Sequence, residues 1–202
     1  MYKIAICGKA NSGKNTLAKM LVKHLRLKIR DNNGPYTASR AYIAFADPIK
    51  RMIQEMFPEI NSKYLFGSSK FRNEIIPGAF KGGKPLTIRQ LLIDLGTEVG
   101  RAYKQDVWLD NFDYQFKKAA HCKIVVVTDV RFRNEFDHLK DKGFHLIKLY
   151  RGNDTPSINH ISETGQNDIK DDEFDFVIHN DKSLNELKKL VVDGIIPNLK
   201  DN

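Results

Sequence analysis

Between an apolar run, Tyr2–Cys7, and a segment in which Leu17, Leu21 and Leu25 recur at helical spacing lies Gly8-Lys9-Ala10-Asn11-Ser12-Gly13-Lys14. This is a G-x-x-x-x-G-K loop, strand before it and amphipathic helix after it. Glycines let consecutive backbone N–H groups turn inward around a phosphate, and the helix start adds the positive end of its dipole. Lys14 then supplies a point charge for β- and γ-phosphates. A chain built this way begins as a strand feeding a helix across a glycine-rich turn, which points to an α/β fold.

The remaining pattern agrees. Ala41–Ala46, Lys123–Val130, Phe144–Tyr150 and Phe174–His179 read as four more strands. Ile124-Val125-Val126-Val127 is the unbroken apolar run of a central strand covered on both faces. Helical stripes lie between: Ala18 and Val22 join the leucines of the first helix while Lys19, Lys23 and Arg26 face out. Phe132, Phe136 and Leu139 form a second stripe, closed by Gly143. Ser183 and Glu186 make a capping box ahead of Leu187, Leu190 and Val191. Strands alternating with helices predict a parallel sheet. Residues 48–122 break the alternation, are too long for a crossover, and read as an inserted, mostly helical lobe. Ile88–Val99 is its clearest helical piece and Gly78–Pro85 reads as a loop. The core is expected at 1–47 and 123–202, within one domain of 1–202. Arg151–Asp172 is polar and irregular, a flap expected at about 151–172. In open parallel sheets ligands bind beyond the carboxyl ends of strands, where both segments start.

No apolar run approaches the length needed to span a bilayer, and the N-terminus lacks the pattern of a signal peptide, so a cytoplasmic protein without membrane partners is expected. Cys7 and Cys122 read as buried thiols, and the six histidines show no zinc-ligand spacing. The net charge is +8, but residues 1–30 carry eight Lys and Arg with no Asp or Glu, and the rest of the chain is balanced. That concentration suits a small polyanion at the loop and argues against a nucleic-acid surface.

After the loop lysine, where Ser or Thr usually meets Mg²⁺, stands Asn15, followed by Thr16. An amide oxygen is a weaker ligand than an anionic one, so a carboxylate must contribute. Asp47 and Asp129 end apolar strands and are the candidates, with Asp129 first. Each would otherwise cap the following helix.

At this point the sequence resembles the phage-type deoxynucleoside monophosphate kinases. The resemblance rests on Gly8–Thr16, Phe45-Ala46-Asp47-Pro48-Ile49-Lys50, Thr87-Ile88-Arg89-Gln90-Leu91-Leu92 and Gly96-Thr97-Glu98-Val99-Gly100-Arg101 with Trp108. It continues through Thr128-Asp129-Val130-Arg131-Phe132-Arg133-Asn134-Glu135 and His160-Ile161-Ser162-Glu163, in order over residues 2–192. The family usually has an acid after the loop lysine, so Asn15 departs from that pattern too. The resemblance implies a P-loop kinase fold: a five-stranded parallel sheet, order 2-3-1-4-5, helices on both faces, an acceptor lobe and a lid. It implies ATP and Mg²⁺ as cofactors, deoxynucleoside 5′-monophosphates as acceptors, and a homodimer. A phosphomevalonate-kinase-like enzyme is the alternative, and a non-kinase P-loop module stands behind it.

Bringing two polyanions together needs fixed cations more than an acid or base. Arg101, Arg131 and Arg151 fit best, with Arg89 and Arg133 behind them, while Arg51 and Arg72 read as solvated. Lys14, Arg131, Arg151 and Asp47 are the expected catalytic set. ATP is expected on Gly8, Lys9, Ala10, Asn11, Ser12, Gly13, Lys14, Asn15 and Thr16, with Asn180 near adenine. The acceptor is expected on Asp47, Arg89, Glu98, Arg101, Trp108 and Arg131, where Trp108 either stacks on a base or packs in the core.

Overall fold

The computed structural model describes residues 1–33, 38–152, 165–166 and 168–201. The chain forms two compact units, one of Met1–Ala44 with Asp113–Asn202 and one of Phe45–Phe112. In the first unit, β1 (Tyr2–Cys7), β2 (Arg40–Ile43), β5 (Ile124–Val130), β6 (His145–Tyr150) and β7 (Phe176–His179) form a sheet of order β2-β5-β1-β6-β7. Every pairing in it is parallel. Over these five strands the order is 2-3-1-4-5, as the family resemblance implies. β2 is shorter than expected, since Ala44 onward turns away from the ladder.

Alternation explains the core. Ile4, Ile6, Ile124, Val126, Ile147 and Leu149 point to one face and pack with Leu17, Leu21 and Leu25 of α1 (Lys14–Asn33). Leu187, Val191 and Leu199 of the C-terminal segment, which opens with α8 (Leu184–Lys189), complete that cluster. Strand residues of the opposite parity, Ala5, Val125, Val127 and Leu146, are equally buried, so both faces are covered. α7 (Arg133–Asp141) buries Phe136 and Leu139, and Phe136 meets Phe174 with ring centroids 4.9 Å apart. The capping box forms, Ser183 Oγ accepting from the Glu186 N–H at 3.3 Å. Leu190, expected in the buried stripe, is exposed: Leu187 and Val191 take the buried face, and Leu190, about 100° round the helix from Val191, falls outside it.

The second unit holds α2 (Asp47–Met56), α3 (Ser62–Phe66), β3 (Ile75–Lys81), β4 (Lys84–Thr87), α4 (Ile88–Ile93), α5 (Gly100–Tyr103) and the start of α6 (Val107–Lys118). The stretch expected to be a loop at Gly78–Pro85 is an antiparallel hairpin, β3 with β4. Its two-residue turn is Gly82-Gly83, with φ of 54° and 76°, the left-handed pair that a tight hairpin demands. Pro85 sits in β4 of this two-stranded ribbon, where each strand has an edge free of ladder bonds. Among the described residues no helix is long and apolar enough to cross a membrane.

Candidate active site

β1 ends at Cys7 and α1 begins at Lys14, so the glycine-rich stretch is the turn between them. Asn11 takes a φ of 66°, a left-handed conformation that Asn tolerates better than most residues. Gly13 has a φ of 101°, and a Cβ there would lie 2.6 Å from Asn180 Nδ2, so backbone and space both demand glycine. Lys14 Nζ reaches back across the loop to the carbonyls of Gly8, at 2.5 Å, and Lys9. Ser12 is buried, whereas Asn15 and Thr16 lie exposed on the first turn of α1.

Asn180 holds this loop. Its Nδ2 donates to the Ser12 carbonyl at 2.9 Å, and its backbone N–H donates to the Tyr150 carbonyl at 2.8 Å. The residue expected beside adenine thus ties the ends of β6 and β7 to the loop. Losing one such hydrogen bond costs about 0.5–1.5 kcal/mol. Asn180→Ala is therefore expected to raise the KM for the nucleoside triphosphate donor about two- to tenfold, with the acceptor KM unchanged, in initial-rate measurements. Equal shifts in both constants would contradict this.

The neighbouring strand brings the acid. β5 pairs with β1, Cys7 opposite Val130, which sets Asp129 beside the start of the loop, half-buried. Arg131 follows, its backbone N–H donating to Glu135 Oε2 at 2.8 Å, and the Phe132 N–H donates to the same oxygen at 3.2 Å. Cys7 donates its thiol to Gln166 Oε1 at 3.1 Å. Burial raises its pKa to about 11, opposed in part by Lys148 and Lys14, so this thiol stays protonated near neutral pH. Cys122 is buried as well. Arg151 is exposed just past β6. Most of the expected flap, including His160-Ile161-Ser162-Glu163, lies outside the described residues.

In the Phe45–Phe112 unit, Pro48 fixes the first turn of α2 and Asp47 receives Lys50 Nζ at 2.6 Å. Lys50 is buried, its ammonium 5.4 Å from the Phe66 ring centroid. Arg101 is also buried, with Nη1 donating to the Gln105 carbonyl at 3.3 Å. Arg89 donates from Nε to Asn73 Oδ1 at 2.8 Å, and Glu98 is exposed. Trp108 is only 7 % exposed and donates its indole N–H to the Gly96 carbonyl at 2.7 Å. A Cβ on Gly100 would fall 2.4 Å from its ring, so the Gly96–Arg101 motif is packed directly against the tryptophan.

The profile of the deoxynucleotide monophosphate kinase family matches residues 66–191. The chain belongs to that family. A "Putative deoxynucleotide monophosphate kinase" of Acanthamoeba polyphaga mimivirus is 27 % identical to it over 205 residues, covering 95 % of each chain. As a deoxynucleotide monophosphate kinase family member, the protein is a phosphotransferase and a nucleotide kinase.

Several residues of this kinase escape sequence reading. Arg133, expected behind the leading arginines as a phosphate ligand, is committed to ion pairs with Asp137 at 2.9 Å and Glu173 at 2.8 Å. Arg72 is half-buried instead of solvated. Lys148, buried, binds the Ile169 carbonyl and Asp171 Oδ1, both at 2.9 Å. Burial alone would lower its pKa, but Tyr150 and Asp171 outweigh that and raise it, keeping the ammonium charged. Tyr150 stacks on His179 and donates to Asp171 at 2.7 Å. Lys148 and Tyr150 meet partners about twenty residues on, so no local pattern announces the network.

Proposed function

We propose that this chain transfers the γ-phosphoryl group of ATP to a deoxynucleoside 5′-monophosphate, giving ADP and the deoxynucleoside diphosphate. The observation that carries the reading is the loop at Gly8–Lys14, shaped by Gly13 and Asn180 and headed by Lys14, in a chain of this family. An acceptor phosphate oxygen forms a bond to the γ-phosphorus as the bond to the ADP oxygen breaks, in line. Lys14 holds the β- and γ-phosphates, and the loop N–H groups and α1 hold the rest of the tail. Arg131 and Arg151 offset the charge of the transferring group, with planar forks suited to phosphate oxygens. Asp47, Arg89, Glu98, Arg101 and Arg131 serve the acceptor. Lys50 joins them as the cation that fixes the Asp47 carboxylate. Trp108 belongs with this group through its packing on Gly96–Arg101.

Mg²⁺ fits the donor set. Magnesium takes one or two protein oxygens, keeps several waters and uses the substrate phosphates, so one half-buried carboxylate beside the loop is enough. Asp129 would hold it, with Asn15 and Asp47 secondary. When bound, the ion spreads the negative charge of the phosphate tail. Asp129→Asn is expected to raise the Mg²⁺ concentration for half-maximal rate several-fold, while Asn15→Ala and Asn15→Thr stay within a few-fold of the original chain. Magnesium titrations of initial rate check this. Loss of activity in Asn15→Ala beside a normal Mg²⁺ requirement in Asp129→Asn would reverse the assignment.

The function is tested by coupled ADP release with each common dNMP and NMP and with phosphomevalonate. Release above the ATPase background with at least one dNMP is expected. Release with phosphomevalonate alone would replace the reading.

A further inference from the structure

The basic excess of residues 1–30 does not converge on the phosphate loop. Lys19, Lys23, Arg26 and Arg30 lie along α1 beyond it, and with Arg40 of β2 they line an open groove of about 400 Å³. Spacings of four, three and four residues keep the four helical cations on one side of α1, over about 16 Å of its length. Arg30 bonds Asp31 at 3.1 Å. Lys19, Lys23, Arg26 and Arg40 have no acidic partner among the described residues. The groove is not purely electrostatic. Val22 and Leu27 give it apolar wall, and Tyr42, on the edge strand of the sheet, is 48 % exposed.

Like charges so gathered repel one another unless an anion joins them. From this groove we infer a second binding surface, for single-stranded nucleic acid. Cations strung along a helix for three turns match a chain of phosphates better than a single triphosphate tail. An exposed tyrosine beside apolar side chains offers a platform on which an unstacked base can lie. The basic excess of the first thirty residues therefore serves two places. Lys14 is at the loop, and the cations from Lys19 onward lie along the helix.

The test is fluorescence anisotropy of a labelled twelve-nucleotide oligothymidylate titrated with the full chain, with saturating ATP present to occupy the phosphate loop. Binding is expected to weaken with salt, log K falling with log salt at a slope of about −3 for some four phosphate contacts on a single strand. The double variant Lys23→Glu/Arg26→Glu should bind at least tenfold more weakly with a shallower slope. Tyr42→Ala should weaken binding several-fold with the slope retained. Both should keep kinase turnover within twofold. No anisotropy change at 50 mM salt would overturn the inference. So would full displacement of the strand by ATP, equal competition by free dTTP, indifference to charge reversal, or binding only to phosphatidylserine vesicles. None of these results depends on whether the chain phosphorylates dNMPs, so the two readings fail separately.

Discussion

Lys14→Ala is expected to lower turnover with ATP and dNMP by at least about 100-fold, the scale for removing one preorganised charge from a transition state. The side chain crosses the loop to the carbonyls of Gly8 and Lys9 and makes no contribution to the hydrophobic core, so the fold should survive. Thermal unfolding of the variant should therefore stay within a few degrees of the original chain. Most of the loss should appear in kcat, because the interaction grows as charge develops on the transferring group. Turnover within tenfold of the original chain would remove Lys14 from the chemistry.

Trp108→Ala should have the largest effect on stability. The ring is buried, its N–H is bonded to the Gly96 carbonyl, and Gly100 sits against its six-membered edge. Truncation of a buried tryptophan costs about 3–5 kcal/mol, from lost transfer energy and the cavity left behind. It also leaves the Gly96 carbonyl without the indole donor. Gly100→Ala presses on the same contact from the other side, with a Cβ placed 2.4 Å from the ring, and should destabilise as well. Urea unfolding of both variants checks this. If Trp108 served by stacking on a base from an exposed position, the truncation would leave stability near that of the original chain and raise only the acceptor KM.

The sheet was legible because each strand carries its own signal. The apolar runs Ile124–Val127 and Tyr2–Cys7 need no long-range information. The first helix announces itself through Leu17, Leu21 and Leu25, all fully buried. The hairpin β3–β4 is not legible in the sequence although Gly82-Gly83 is a standard turn pair, because the short strands are interrupted by glycine, proline and lysine. The proposed site residues and their supports divide in the same way. Lys14 and Asp129 belong to local motifs whose position relative to strand ends is fixed. Asn180 acts on Ser12, 168 residues away, and Lys148 reaches Asp171, 23 residues on. Such contacts depend on strand order and register, which the residues themselves do not print. The same holds for charge: the sequence shows eight cations in thirty residues, but the fold separates Lys14 from the groove along α1.

The central claim is transfer of the terminal phosphoryl group of ATP to a deoxynucleoside monophosphate. Incubating the purified chain with γ-³²P-ATP, Mg²⁺ and each dNMP, then separating the products, tests it most directly. The account predicts label in a deoxynucleoside diphosphate for at least one acceptor, lost on Lys14→Ala. Label appearing only as inorganic phosphate, whichever dNMP is supplied, would contradict it.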